Sequence, residues 1–113
     1  MSKKPAAPRP PAHLGDATKA WFKQVVSDYE LEPHHLRLLI LACESWDRGE
    51  EARELLDENG LTQTDRHETI RPRPEVAIER DSRIAFARLL REMSLDVEAP
   101  REARPPRRPG TGR

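Results

Sequence analysis

Residues 33–60 read PHHLRLLILACESWDRGEEARELLDENG, and this stretch decides the fold. Pro33 suits the first turn of a helix, where its missing amide donor costs nothing. Asn59 followed by Gly60 is a typical C-terminal stop. The sequence therefore predicts one long helix over residues 33–59, which at about 1.5 Å per residue would extend roughly 40 Å.

The two halves of this helix differ in their apolar pattern. Apolar residues occupy nearly every side from Leu36 to Cys43, whereas only one stripe stays apolar from Glu44 onward. A helix that is apolar on all sides has to be covered on more than one of them. One further helix of the same chain rarely achieves this, so we expect a second copy of the chain to cover part of the first half.

Shorter helices are predicted on either side of the long one. Apolar residues at steps of three and four predict a helix over residues 16–29, with Asp16 as its N-cap, and another over residues 74–94. Residues 61–64 and 69–71 lack that period and predict a short hairpin around residues 65–68. The predicted fold class is all-α, with three helices, a long central one and a possible hairpin between the second and third.

Charge divides the chain into three parts, although its 20 basic and 20 acidic residues cancel overall. Residues 1–13 carry three basic residues and no acid, residues 14–99 sum to −7, and residues 100–113 sum to +4. Each end also holds four prolines and few apolar residues, a composition typical of disorder. We predict a disordered basic tail over residues 1–13, a helical oligomerisation core over 14–97, and a disordered Pro/Arg-rich tail over 98–113.

Several function classes are disfavoured by the sequence. Cys43 is the only cysteine, and the five glycines are too scattered for a phosphate-binding loop. His34 and His35 are adjacent and would point about 100° apart on a helix, so they cannot jointly hold a metal. The acids from Glu44 to Glu58 are spread along the polar side of the helix with Arg48 and Arg53 among them, as on a solvated helix face. The longest apolar run has six residues, against about twenty for a membrane span. We therefore expect no enzymatic activity, cofactor, metal or membrane contact.

Basic residues are the candidates for contact with DNA phosphates, because unopposed Lys and Arg bind phosphates without sequence choice. In the tails these are Lys3, Lys4, Arg9, Arg101, Arg104, Arg107 and Arg108. A second set lies on the third helix and consists of Arg80, Arg83, Arg88 and Arg91. Glu79–Arg83 and Arg88–Glu92 are spaced as i,i+4 ion pairs, so this second set also suits a plain solubilising role.

Large apolar residues on periodic stripes are the candidates for the core and for an oligomer interface. These residues are Leu36, Leu39, Ile40, Trp46, Phe86 and Leu89.

The order of several segments resembles a known family. The segments are Pro10 to Leu14 (PPAHL), Tyr29 to Leu36 (YELEPHHL), Gly60-Leu61-Thr62, Arg73 to Glu79 (RPEVAIE) and Arg83 to Glu92 (RIAFARLLRE). Together they resemble the small terminase subunits of tailed bacteriophages, in the form carried by phages and prophages of actinobacteria. The likeness covers about residues 10–97.

This resemblance implies a mainly helical protein that assembles into a ring in the bacterial host cytoplasm. It implies two further partners, viral double-stranded DNA and the large terminase subunit, which holds the ATPase and nuclease. We expect only one helix, over residues 16–29, ahead of the long one, and this is too little for a separate helix-turn-helix domain. A dimeric DNA-binding regulator and a protein-only helical adaptor are the two other interpretations.

Overall fold

The computed structural model describes residues 7–95. Its elements are α1 (Asp16–Asp28), α2 (Pro33–Asn59), β1 (Thr62–Thr64), β2 (Ile70–Pro72) and α3 (Pro74–Glu92). The predicted fold class is confirmed, including both ends of the long helix. Residues 1–6 and 96–113, which include most of the two predicted tails, lie outside the described residues.

Helices α2 and α3 form an antiparallel pair. Trp46 lies against Phe86, and Arg53, two turns further along α2, reaches Glu79, which lies two turns earlier on α3. Gly49 lies between these contacts, and a Cβ atom on it would approach the Cβ of the buried Ser82 to 3.2 Å. The two helices therefore approach each other closely at a point where both carry a small residue.

The core lies where α1, the first half of α2 and the end of α3 meet. Phe22 of α1 packs with Leu39 and Cys43 of α2, and all three are almost completely buried. The same cluster includes Leu14, which lies just before α1, and Met93, which directly follows α3. The first half of α2 is thus covered by two helices of its own chain, and Leu41 keeps 50% of its surface exposed there.

The start of α1 is held by α2. Gly15 is the N-cap residue, and its amide donates to Oδ2 of Asp47 at 2.8 Å. The Thr18 hydroxyl donates to Oδ1 of the same carboxylate. The prediction that Asp16 caps this helix was wrong, because Asp16 is already helical and makes no cap hydrogen bond. The capping acid comes instead from another helix, which fixes α1 against α2.

The residues before α1 are also tied to α2. Leu14 donates its amide to the carbonyl of Pro11 at 3.3 Å and buries its side chain, while His13 Nε2 lies 2.8 Å from Oε2 of Glu44. Two of the acids on the predicted solvated face therefore tie other parts of the chain to α2: Asp47 the start of α1, and Glu44 the turn before it. The other acids of that face are exposed.

Helix α2 begins at Pro33, and the amide of Glu32 donates to Nδ1 of His35 at 3.2 Å. His35 is thus part of the first turn. Among residues 7–95 no group of three or more potential ligands is placed to hold a metal ion. In the same range, no helix combines the length and apolar character needed to cross a membrane.

The hairpin extends from the tip of the α2–α3 pair. Its strands are antiparallel, with Thr62 opposite Pro72 and Thr64 opposite Ile70. Asp65 organises the turn by accepting from the amides of His67 and Thr69 and from Nε of Arg71. These bonds, above all the one from Arg71, hold the pKa of Asp65 below its usual value. All strand residues are exposed.

Candidate functional site

An aromatic groove lies where α1, α2 and α3 meet at the surface. Its wall is built by Phe86, whose ring centroid lies 5.7 Å from that of Trp21 and 5.1 Å from that of Trp46. Ala17, Thr18 and Leu90 complete a volume of about 440 Å³. Trp46 is 45% exposed, so this aromatic surface is open to a binding partner.

A polar cleft continues from the groove on the other side of Trp46. Its centre is Glu79, which accepts from Nη1 of Arg53 at 3.1 Å and from Nη2 of Arg83 at 3.2 Å. Glu50 lines the same cleft and forms no ion pair with any residue between 7 and 95. The predicted Glu79–Arg83 pair is confirmed, and it leaves Arg83 turned towards α2.

The four arginines predicted on α3 do not form one row. Arg80, Arg88 and Arg91 follow one another with Ile84 at steps of four, four and three, so they share one side of the helix. All four of these side chains are exposed, and Ile84 keeps 51% of its surface. We call this side of α3 the outer arginine stripe.

The stripe carries little compensating charge. Nε of Arg80 lies 3.2 Å from Oδ1 of the exposed Asp81, and a surface ion pair of this kind restrains the arginine only weakly. Within the described range, Arg88 and Arg91 take part in no ion pair, and the predicted Arg88–Glu92 pair does not form. Two full positive charges are therefore available on this side of α3.

The predicted tail residues are mostly outside the described range. Arg9 is described and exposed. The other predicted tail contacts lie outside the described residues and are Lys3, Lys4, Arg101, Arg104, Arg107 and Arg108.

The predicted interface residues have different environments. Leu39 has no exposed surface within one chain and belongs to the core. Leu36, Ile40 and Leu89 pack partly against that core. Trp46 and Phe86 line the aromatic groove.

Further apolar surface lies on the outer face of α2, which we define by Leu41, Arg48 and Leu55. These residues are seven apart and so share one side of the helix, and all three are exposed. Leu41 is half exposed and Leu55 is 37% exposed. The sequence placed Leu41 in a segment that needs cover, and the structure shows which side of that segment is open.

Cys43 is not suited to nucleophilic chemistry. Burial raises the pKa of its thiol to about 12, and the nearby carboxylates of Asp47 and Glu44 add to the effect. The thiol therefore stays protonated at neutral pH and acts as a small apolar core group.

Some residues that shape these surfaces had no local signal in the sequence. The contact between Thr18 and Asp47 joins positions 29 residues apart. Ile84, in contrast, lies four residues from both Arg80 and Arg88, so helical spacing alone places it between them.

Comparison with known protein families identifies a match over most of the chain. A family described as phage terminase, small subunit, matches residues 18–107. That range includes nearly all of α1, all of α2, the hairpin and α3, and it extends beyond the described residues. No curated protein and no solved structure matches the chain significantly.

Proposed function

The chain belongs to the phage terminase small-subunit family, whose role is phage DNA packaging, and on this premise we propose the part that it plays. It assembles into a ring without catalytic activity, binds viral double-stranded DNA, and recruits or regulates the large terminase subunit. This work takes place in the cytoplasm of the bacterial host. The small subunit is in general the non-catalytic component of a terminase.

The outer arginine stripe carries the DNA-binding part of the proposal. Arg80, Arg88 and Arg91 lie on one exposed side of α3, over about 16 Å of helix at 1.5 Å per residue. Duplex DNA presents one phosphate charge per about 1.7 Å of its axis, so a stripe of this length meets several phosphates. The basic tail residues add further contacts. In a ring every subunit repeats them, and this multivalency raises the avidity for one DNA molecule.

The outer face of α2 carries the assembly part of the proposal. Leu41 and Leu55 expose apolar surface on one side of α2, and Leu36 and Ile40 of the same helix are only partly buried against the core. Burial of these apolar side chains against a second copy of the chain would be favourable, because it removes apolar surface from water. We assign these residues to the contact between neighbouring subunits.

DNA binding by the full chain tests the stripe. In Arg88→Gln/Arg91→Gln, we expect weaker binding to any duplex and a salt slope reduced by about one per lost phosphate contact. The control for the loss of one positive charge is Arg66→Gln in the hairpin turn, an exposed arginine with no ion pair within residues 7–95. Unchanged affinity and slope in the double variant would refute the stripe as a DNA surface. Binding by a dimer to one short site with strong base discrimination would favour a regulator, and the absence of binding would favour a protein-only adaptor.

Native mass by light scattering tests the assembly. We expect a closed assembly larger than a dimer, which Leu41→Glu breaks into smaller species. The control is Leu61→Glu, which places the same charge on a leucine that is 65% exposed before the hairpin. A stable monomer, or equal loss of mass in both variants, would contradict the proposed interface.

A further inference from the structure

We propose that the aromatic groove is the docking site of the chain's own C-terminal segment, residues 100–113, which binds there as an extended Pro/Arg peptide. This inference concerns the chain without DNA and does not depend on the proposed function. It rests on the chemistry of the groove, the composition of the segment, the point at which the described chain ends, and the charge of the surrounding helix.

The groove has the chemistry that recognises proline. Trp21, Trp46 and Phe86 form its wall at tilted angles, and Ala17 and Leu90 add apolar surface. Grooves lined by aromatic side chains bind proline-rich segments, because the polyproline II helix is already extended and loses little entropy on binding. Both tryptophans of the chain lie in this groove.

The C-terminal segment has the matching composition. It contains Pro105-Pro106-Arg107-Arg108-Pro109 within a stretch of net charge +4. Pro10 and Pro11, the prolines nearest to the start of α1, are described, and neither lines the groove. The observations therefore favour the C-terminal segment over the N-terminal one.

The segment is long enough to reach the groove. Leu90 lines the groove, α3 ends two residues later at Glu92, and the amide of Leu95, where the described chain ends, donates back to the carbonyl of Leu90 at 2.8 Å. The ten residues from there to Pro105 span up to roughly 30 Å in polyproline II geometry. A return to the groove within the same chain therefore needs no rearrangement of α3.

The charge of the helix beside the groove complements the segment. From Glu44 to Glu58, α2 carries seven acids and two arginines. Glu50 lies one turn after Trp46 and forms no ion pair within residues 7–95, so it is placed to meet an arginine next to the docked prolines. The aromatic groove thus offers rings for proline, and the polar cleft on the other side of Trp46 offers the carboxylate of Glu50 for arginine.

Quenching of tryptophan fluorescence by acrylamide tests this docking, because both tryptophans report on the groove. In the full chain without DNA, we expect Pro105→Ala/Pro106→Ala to raise the quenching constant roughly twofold, since uncovered Trp46 is 45% exposed. Glu50→Gln raises it by a smaller factor. The matched controls are Pro5→Ala/Pro8→Ala in the other tail and Glu54→Gln on an exposed side of α2. Circular dichroism establishes that all variants stay folded.

Each other outcome overturns the proposal. Equal quenching in Pro105→Ala/Pro106→Ala and in the unchanged chain would mean that the segment does not cover the groove. A rise caused by Pro5→Ala/Pro8→Ala alone would assign the groove to the N-terminal segment. Protection of the tryptophans from quenching that increases with protein concentration and is unchanged by both pairs of substitutions would assign the groove to a second copy of the chain.

Discussion

Replacing Asp47 by asparagine should release the start of α1 from α2. The carboxylate accepts from the amide of Gly15, the N-cap residue of α1, at 2.8 Å and from the hydroxyl of Thr18 in its first turn. Asparagine has the same shape, but it carries no charge and turns one acceptor into a donor that faces another donor. A hydrogen bond to a charged group is worth about 1.5–3 kcal/mol, and loss of a helix cap costs about 0.5–2 kcal/mol.

Because these two values describe the same contact, we expect Asp47→Asn to lower the free energy of unfolding by about 2 kcal/mol. In a domain of this size, that corresponds to a decrease in Tm of roughly 8–16 °C. The measurement is thermal and urea unfolding followed by circular dichroism. All variants are compared at one protomer concentration, because assembly makes stability depend on concentration.

Two further variants make the result specific. Glu51→Gln removes an exposed carboxylate from the same helix and should change stability by less than about 0.5 kcal/mol. Thr18→Val alone should destabilise the protein. Combined with Asp47→Asn, it should cost less than the sum of the two single changes, because they remove the same bond. A loss for Asp47→Asn no larger than that for Glu51→Gln would refute the role of Asp47 in fixing α1.

Three further predictions concern the helix pair, the core and the hairpin. Gly49→Leu should destabilise the protein by about 1–3 kcal/mol in urea unfolding, since even a Cβ there lies 3.2 Å from that of Ser82; wild-type stability would contradict the close approach. Cys43, whose pKa is raised to about 12, should react with a disulfide reagent at mildly alkaline pH only as fast as the protein unfolds. The pKa of Asp65, measured by NMR, should lie below that of an unfolded aspartate, and Arg71→Gln should raise it. Because folding lowers this pKa, ionised Asp65 stabilises the turn fully at pH values above its unfolded pKa. This stabilisation is lost as pH falls through the lower pKa of the folded state.

Local signals in the sequence were enough for the helices and the hairpin. Pro33 and Asn59-Gly60 mark the ends of α2, and the structure places the helix at the same residues. The loss of helical period after Gly60 predicted the hairpin, which pairs Thr64 with Ile70. These features depend on the backbone preferences of neighbouring residues, so no knowledge of the tertiary structure was needed.

Contacts between distant parts of the chain could not be predicted from local sequence signals. Asp16 has the right residue type and position for a cap, yet Asp47 of another helix satisfies the same donors. The arginines of α3 look equivalent in sequence, but Arg53, 26 residues from Glu79, shares that carboxylate with Arg83. Which arginines stay available therefore depends on how α2 and α3 are paired.

We have proposed that the C-terminal segment contacts DNA and also that it docks in the aromatic groove. Both proposals use the same arginines, so DNA and the groove would compete for them. Arg107 and Arg108 directly follow Pro105 and Pro106, so the proposed docking of these prolines would hold both charges beside the acidic half of α2 and away from phosphate. The outer arginine stripe lies on the side of α3 that does not line the groove, and it stays accessible while the segment is docked. The stripe would then make the first contact with DNA, and release of the segment would add the second.

This order predicts that weaker docking strengthens DNA binding. In the full chain, Pro105→Ala/Pro106→Ala keeps every arginine, so it should bind duplex DNA more tightly and with a steeper salt slope than the unchanged chain. Arg88→Gln/Arg91→Gln should act in the opposite direction in the same titration, while Pro5→Ala/Pro8→Ala should have no effect. Quenching could show that Pro105→Ala/Pro106→Ala uncovers the groove while DNA binding stays the same or weakens. That result would mean that docking of the segment does not withhold phosphate-binding arginines from DNA. Its docking would in that case serve only to cover the aromatic groove.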